Sequence, residues 1–185
     1  MPLNHSSQYA QLTSKQFEAV GRLVIEWSNI EFLLGEILSR LLFVPEFLGR
    51  TYTDEMNAVR IEAAIKNALE IHSRRYGNRV VPKETEVRIE NLLKRSGEFR
   101  TFRNKFAHFC WIRSTDDEIF GTRLSGKLPT PKREKSESVT ISLRDLDNAY
   151  AEAYSIVEEA LVIVETLPNV EEEESLQQKN FNRTC

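Results

Sequence analysis

The stretch FRTFRNKFAHF, residues 99–109, decides how the rest of this 185-residue chain is interpreted. On a helix that advances about 100° per residue, its four phenylalanines fall within one stripe about 80° wide, and Asn104 and His108 lie one turn apart on the opposite side. We therefore expect the aromatic stripe to enter a core while the polar pair faces outward. Arg103 and Ala107 lie on the flank between these faces, from which a guanidinium can swing towards His108.

Basic residues are concentrated around this stretch, with Glu98 as the one nearby acid that opposes them. They are Lys94, Arg95, Arg100 and Lys105. Such a local excess of positive charge favours binding of a polyanion, whereas the net charge of −3 for the whole chain decides nothing. We predict that Arg95, Arg100 and Lys105 contact RNA.

Three residues of the stretch suit RNA cleavage. RNA supplies its own nucleophile, the 2′-OH, so a nuclease needs one group to take that proton, another to protonate the leaving oxygen, and a cation over the phosphorane. Histidine exchanges protons near neutral pH, which fits His108; Arg103 can place two donors on the phosphoryl oxygens. Asn104 can orient His108 or the phosphate. No metal or cofactor is required, and the expected products are a 2′,3′-cyclic phosphate and a 5′-hydroxyl.

The same pattern is compatible with a purely structural role. An arginine five residues before a histidine is common, His108 could be an ordinary surface histidine, and the arginines could solvate that face. Two other classes of function also remain open. One is a non-catalytic helical module that binds a protein partner, such as an antitoxin or immunity component, and the other is nucleotide or tRNA binding without cleavage.

The order Arg, Asn, three residues, His resembles the signature of the HEPN family (higher eukaryotes and prokaryotes nucleotide-binding domains). Trp27, Ser28, Ile30 and Glu31 are similar to the opening helix of such domains, and the helix order fits from about residue 15 to residue 167. The resemblance implies an endoribonuclease that acts as a homodimer with a shared site, in toxin–antitoxin, abortive-infection or other antiviral defence systems. It also implies a supporting role for Trp27 and Glu31, although Glu31 could equally be a surface carboxylate.

The helices themselves can be delimited from capping residues. The first is expected to start at a capping box of Thr13 and Gln16 and to end at Pro45. The others are expected to run from a cap at Thr53 or Asp54 to Gly77, from Pro82 to about Phe109, and from a Ser142 and Asp145 cap to Pro168. We therefore predict an all-α fold, an antiparallel bundle of four to five helices with a short β-hairpin before the last long helix.

Residues 115–141 depart from the family pattern and read as an insertion. Short strands are predicted at 118–124 and 139–142, and the loop between them contains basic residues. This insertion is either a solvated loop or an arm that contacts RNA through Lys132 and Arg133, with Lys127 and Lys135 nearby.

Composition indicates one domain, residues 1–167, followed by a flexible acidic tail at 168–185. Apolar residues make up 41% of the chain and charged residues 29%, which is ordinary for a globular protein. Cys110, expected inside, and Cys185 form no disulfide framework. There is no signal pattern and no apolar run near the roughly 18 residues that cross a bilayer, so we predict a cytoplasmic protein.

Two further residues have open roles. His72, near the end of the second predicted helix, is expected to interact with that helix's dipole. Trp111 either packs over the end of the third predicted helix or stacks on a base beside His108.

Overall fold

The computed structural model describes residues 10–124 and 136–171, and 70% of these residues are helical. The elements in chain order are α1 (Ser14–Leu41), α2 (Glu46–Thr53), α3 (Ala58–Tyr76), α4 (Lys83–His108), β1 (Cys110–Arg113), β2 (Glu118–Leu124), β3 (Ser136–Ser142) and α5 (Leu143–Thr166). The prediction of a mainly helical chain with strands before the last long helix is confirmed, and the predicted hairpin is part of a three-stranded sheet. Among the described helices none is long and apolar enough to cross a membrane.

The described residues fall into two compact units. The first is drawn from the described parts of Met1–Trp27 and Glu98–Tyr154, and the second from those of Ser28–Gly97 and Ser155–Cys185. The helices α1, α4 and α5 each contribute residues to both units. The single-domain boundary at residue 167 stays a prediction, and most of the acidic tail, residues 172–185, lies outside the described residues together with Cys185.

The caps of the two helices that begin in the first unit are those expected from the sequence. The Thr13 amide donates to Gln16 Oε1 at 2.9 Å, and the Gln16 amide donates to Thr13 Oγ1 at 3.2 Å. At the start of α5 the Ser142 hydroxyl donates to Asp145 Oδ2 at 2.6 Å, and this bond is the main reason that the pKa of Asp145 lies below its usual value. Gln16 is fully buried and also donates to the carbonyls of Thr115, Asp116 and Glu118. The cap of α1 therefore also holds the turn between β1 and β2.

The sheet is an antiparallel meander in the order β1-β2-β3. The prediction of β2 is confirmed residue for residue, β3 begins three residues earlier than expected, and β1 was not predicted. Trp111 pairs with Gly121, and a Cβ atom at Gly121 would lie 2.7 Å from the indole ring. Because side chains alternate along a strand, Cys110 faces away from Trp111 and is exposed, so the expectation of a buried Cys110 is wrong.

The second unit contains the helix that sequence reasoning missed. Residues after Pro45 form the two-turn helix α2. The cap of α3 is Asn57 rather than Thr53 or Asp54, and the Asn57 side chain accepts a hydrogen bond from the Arg60 amide. Thr53 is instead buried, at 5% exposure, and faces Gly35 of α1. Gly77 ends α3 in the left-handed conformation, as predicted.

His72 is buried rather than placed at an exposed helix end. Its Nε2 lies 2.9 Å from the carbonyl oxygen of Leu41, the last residue of α1, and its ring packs against Phe43 and Tyr76. It therefore joins α3 to the end of α1, and the expected interaction with the dipole of its own helix stays a prediction.

Glu86, in the first turns of α4, is a buried carboxylate with two hydrogen-bond donors. Lys83 Nζ donates to Oε1 at 2.7 Å and Asn78 Nδ2 donates to Oε2 at 2.8 Å. The bond from Lys83 is the main cause of a lowered pKa for Glu86, with a smaller contribution from Asn78, and together they outweigh the opposing effect of burial. A carboxyl whose folded-state pKa is lowered stabilises the fold above its unfolded-state value, which is about 4.3 for glutamate.

We therefore expect Glu86→Gln to lower the free energy of unfolding at pH 7. The difference from the wild type should shrink as the pH falls below about 4.3 and through the lowered folded-state pKa, because both proteins then lack the charge. Urea unfolding at pH 7, 5 and 3 measures this convergence. Glu84→Gln, at an exposed position of the same helix turn, is the control. A Glu86→Gln deficit that stays constant over this range would contradict the prediction.

Candidate functional site

The Arg103, Asn104 and His108 stretch occupies the last turns of α4, within the first unit. Of the four phenylalanines, only Phe99 is fully buried, at 4% exposure, and its ring lies 6.0 Å from that of Trp27. The other three are half-buried. The aromatic stripe thus anchors α4 at Phe99, and its other three rings stay partly accessible.

Arg103 lies against Trp27. Its Cζ atom is 5.9 Å from the centroid of the indole ring, and Trp27 itself is only 2% exposed. A guanidinium over an indole ring is attracted to its negative face, which limits where Arg103 can point. Trp27, expected as a supporting residue, therefore contacts the cation, and its role in a functional site stays a prediction.

The donors of Arg103 are incompletely used. Nη1 donates to Asn104 Oδ1 at 3.4 Å, and Nε is buried without a hydrogen-bond partner. A buried donor that lacks an acceptor is costly, at about 1–3 kcal/mol. The guanidinium therefore retains hydrogen-bonding capacity for an anionic group, after a small movement of the side chain.

Asn104 and His108 do not interact in this structure. Asn104 is half-buried and contacts Arg103, and within the described residues no hydrogen bond joins it to His108. Of the two roles expected for Asn104, orienting His108 has no supporting hydrogen bond among the described residues, and orienting the phosphate stays a prediction.

His108 is the last residue of α4, and both it and Ala107 are exposed. It follows Arg103 by five residues, which corresponds to about 140° around the helix axis and about 7.5 Å along it. One copy of an undistorted helix therefore does not aim both side chains at a single phosphate.

The turn that carries His108 is held by Trp111 of β1. Its indole Nε1 donates to the Lys105 carbonyl at 3.2 Å, and its ring stacks on Phe106 with centroids 4.9 Å apart and on Phe109 at 5.9 Å. Gly121 lies against the same ring. Trp111 thus packs over the end of α4, as one of the two alternatives expected. The sequence signal for this contact is the glycine within a strand, which often marks a close approach.

The other predicted site residues are divided between the units. Arg100 and Lys105 are half-buried in the first unit. Arg95 belongs to the second unit, where Nη2 donates to Ser155 Oγ at 2.9 Å. Glu31 also belongs to the second unit, where it lines a surface pocket with Phe32 and Arg50. Lys132 and Arg133, with Lys127 and Lys135, lie outside the described residues. The predicted RNA-contacting arm therefore stays a prediction.

The chain matches no protein-family model, no curated protein and no solved structure.

Proposed function

We propose that this protein is a metal-independent endoribonuclease of HEPN type, built as an antiparallel helical bundle with a hairpin insertion, in which Arg103 and His108 act on RNA. One observation carries the proposal. Arg103, near the end of α4, is held over Trp27 with a buried Nε that has no hydrogen-bond partner. Exposed His108 follows five residues later on the same helix. Trp27 packs against Arg103, and Trp111 packs over the helix turn that precedes His108, so both residues lie on a supported part of the helix.

The proposed reaction is a transesterification. His108 takes the proton of the 2′-OH, the 2′ oxygen bonds to phosphorus, and the bond from phosphorus to the 5′ oxygen breaks. The departing 5′ oxygen takes a proton from water, and the hydroxide that this leaves takes the proton of the imidazolium, which restores neutral His108. Arg103 offers two donors to the phosphoryl oxygens as negative charge develops on them. The products are a 2′,3′-cyclic phosphate and a 5′-hydroxyl, and no cofactor takes part.

A toxin or antiviral effector in the cytoplasm is the setting that the resemblance suggests for such an activity. The alternative, a non-catalytic module that binds RNA or a protein partner, is favoured by a separate observation. Several large apolar side chains of the second unit are exposed, among them Phe47 at 73% and Tyr52 at 61%.

The test of the proposal is an assay of the purified full-length protein on end-labelled RNA and on total RNA. We expect internal cleavage that persists in EDTA and leaves ends that require removal of a cyclic phosphate before ligation. Intact RNA at micromolar enzyme would favour the non-catalytic module. Cleavage that EDTA abolishes would show that the metal-free mechanism is wrong.

We further expect the active form to be a homodimer in which Arg103 of one copy and His108 of the other meet at one phosphate. The angle of about 140° between these residues on α4 is the reason, because two copies related by a two-fold axis can converge where one cannot. Exposed apolar residues of α1 and Ala107 offer contact surface in the first unit.

Mixing subunits tests this arrangement. Arg103→Ala and His108→Ala subunits, each inactive alone, should together recover up to about a quarter of wild-type activity, because half of the dimers are mixed and each mixed dimer has one intact site. Mixing the wild type with either variant provides the reference for subunit exchange. An active monomer by sedimentation at the assay concentration would contradict the shared site.

A further inference from the structure

The helices α1, α2 and α3 of the second unit form a surface pocket of about 290 Å³, which we call the α2 pocket. Pockets for drug-sized ligands begin at about 300 Å³, so this one suits a smaller molecule. Its wall combines charges of both signs, a hydroxyl group and apolar side chains. Beside Phe32 it includes Glu31, Arg50, Thr53, Asp54, Met56 and Ile61.

Arg50 is the cation in the wall of the α2 pocket, and it keeps an unused donor. Its Cζ atom lies 3.4 Å from the centroid of the Phe32 ring, and its Nη1 donates to the Phe32 carbonyl at 3.4 Å. Nη2 is buried without a hydrogen-bond partner, since Glu36 Oε2, its partner in an ion pair, is 3.8 Å away. The ring of Phe32 therefore holds a guanidinium that can still donate to an anion.

The buried charges around Arg50 do not balance. Glu36 is buried, and its Oε1 accepts a hydrogen bond from Arg40 Nε at 2.9 Å. This single carboxylate therefore faces two guanidinium groups, those of Arg40 and Arg50. An anion that binds beside Arg50 would complete the pairing at a largely buried position, where solvent and salt screen charges weakly.

Thr53 supplies a second unused polar group. Its side chain is more than nine-tenths buried in the wall of the α2 pocket, and Oγ1 has no hydrogen-bond partner. Gly35 of α1 lets Thr53 and Arg50 approach the same place, because a Cβ atom there would lie 3.2 Å from Thr53 Oγ1 and 3.6 Å from Arg50 Nη1. A hydroxyl can donate to a carboxylate, so one carboxylate can accept from both side chains.

The wall of the α2 pocket also offers acceptors for a cation and an apolar contact. Glu31 is half-buried and Asp54 is exposed, and their carboxylates can accept hydrogen bonds from an ammonium group. Met56 and Ile61 supply apolar surface. The pocket thus has separate groups for a negative charge, a positive charge and a hydrocarbon side chain.

We propose that the α2 pocket binds a free α-amino acid with an apolar side chain. The carboxylate accepts from Arg50 and Thr53, the ammonium group donates to Glu31 or Asp54, and the side chain packs against the apolar part of the wall. A ligand with one sign of charge would leave either the cation or the two acids of the pocket without a complement, which favours a zwitterion. The inference goes beyond RNA cleavage and holds whether or not the protein is a nuclease.

Isothermal titration calorimetry of the full-length protein with L-leucine, L-methionine and L-phenylalanine tests the proposal. We expect saturable binding of at least one of them at concentrations up to about 20 mM, well above a dissociation constant of about 1 mM. Two analogues of the tightest binder are matched probes: its amide, which lacks the carboxylate, and its desamino acid, which lacks the ammonium group. Each should bind at least tenfold more weakly, because it leaves a charged group of the pocket unpaired.

The comparison of ligands uses the wild type alone, so it does not depend on how well a variant folds. Absence of saturable binding by all three amino acids would overturn the proposal. Equal binding of either analogue would overturn it as well, because the site would then not recognise a zwitterion.

A variant at Thr53 locates the site. Thr53→Val removes the unused hydroxyl with little change in volume, so we expect the free energy of unfolding to stay the same or rise while the dissociation constant increases about tenfold. The matched control is Thr51→Val on the same helix, where the exposed hydroxyl donates to the Leu48 carbonyl at 2.7 Å. The control should bind like the wild type. Unchanged affinity in Thr53→Val would place the ligand elsewhere and would contradict the proposal.

Discussion

RNA cleavage is expected to disappear when His108 is replaced by alanine, with a fall in rate of about 10²–10⁴, the usual contribution of a general acid or base. The melting temperature should change by no more than about 2 °C, because His108 is exposed and surface substitutions usually alter stability by about 0.5 kcal/mol or less. His108→Gln, which keeps a hydrogen-bonding side chain but does not exchange protons near neutral pH, should be equally inactive. Wild-type cleavage by either variant would remove His108 from the mechanism.

Loss of the guanidinium should have a comparable effect. Arg103→Ala is expected to reduce cleavage by about 10²–10³, the cost of losing one preorganised donor group. Arg103→Lys should recover little, because an ammonium cannot donate two parallel hydrogen bonds. Arg74→Ala, which removes an 80% exposed arginine paired with Glu70, is the control and should retain full activity. If Arg103→Lys were as active as the wild type, the role of Arg103 would be a single charge rather than a two-donor contact.

The largest effect on stability is expected from Gly49→Ala. The new Cβ would lie 2.6 Å from Ser39 Cβ as well as 2.1 Å from its Oγ, so side-chain rotation cannot relieve the clash and α1 and α2 must separate. Overpacking of this kind costs about 3 kcal/mol, which lowers the melting temperature of a chain of this size by roughly 6–12 °C. Differential scanning calorimetry measures the change.

Two variants separate the clash from the general effect of replacing a helical glycine. Gly21→Ala, in α1 with no heavy atom within 4 Å of the added Cβ, should raise the stability by about 0.5–1 kcal/mol. Ser39→Gly combined with Gly49→Ala should recover most of the loss, because it removes the atoms that the new methyl group meets. A Gly49→Ala protein as stable as the wild type would show that the two helices are less closely packed than described.

The sequence alone was sufficient for features that depend on neighbours within a few residues. The caps of α1 and α5 were predicted from Thr13 with Gln16 and from Ser142 with Asp145, since a capping hydrogen bond joins residues three apart. The end of α3 at Gly77 and the bounds of β2 were also predicted, because they too depend on residues close in sequence. The placement of the Arg103 and His108 stretch in the last turns of a helix also followed from periodicity alone.

Local patterns were insufficient wherever a contact joins distant parts of the chain. Arg103 contacts Trp27, which lies 76 positions earlier in the chain, and helical periodicity cannot predict a pairing over that distance. The helix α2 was missed because its apolar residues face outward and its buried face consists of Gly49 and Thr53, a pattern that makes sense only against Ser39 and Gly35 of α1. Cys110 was misplaced because its exposure depends on which face of β1 Trp111 occupies, and pairing with Gly121 decides that. Periodicity reports which residues share a face, whereas close packing between elements determines which face is buried.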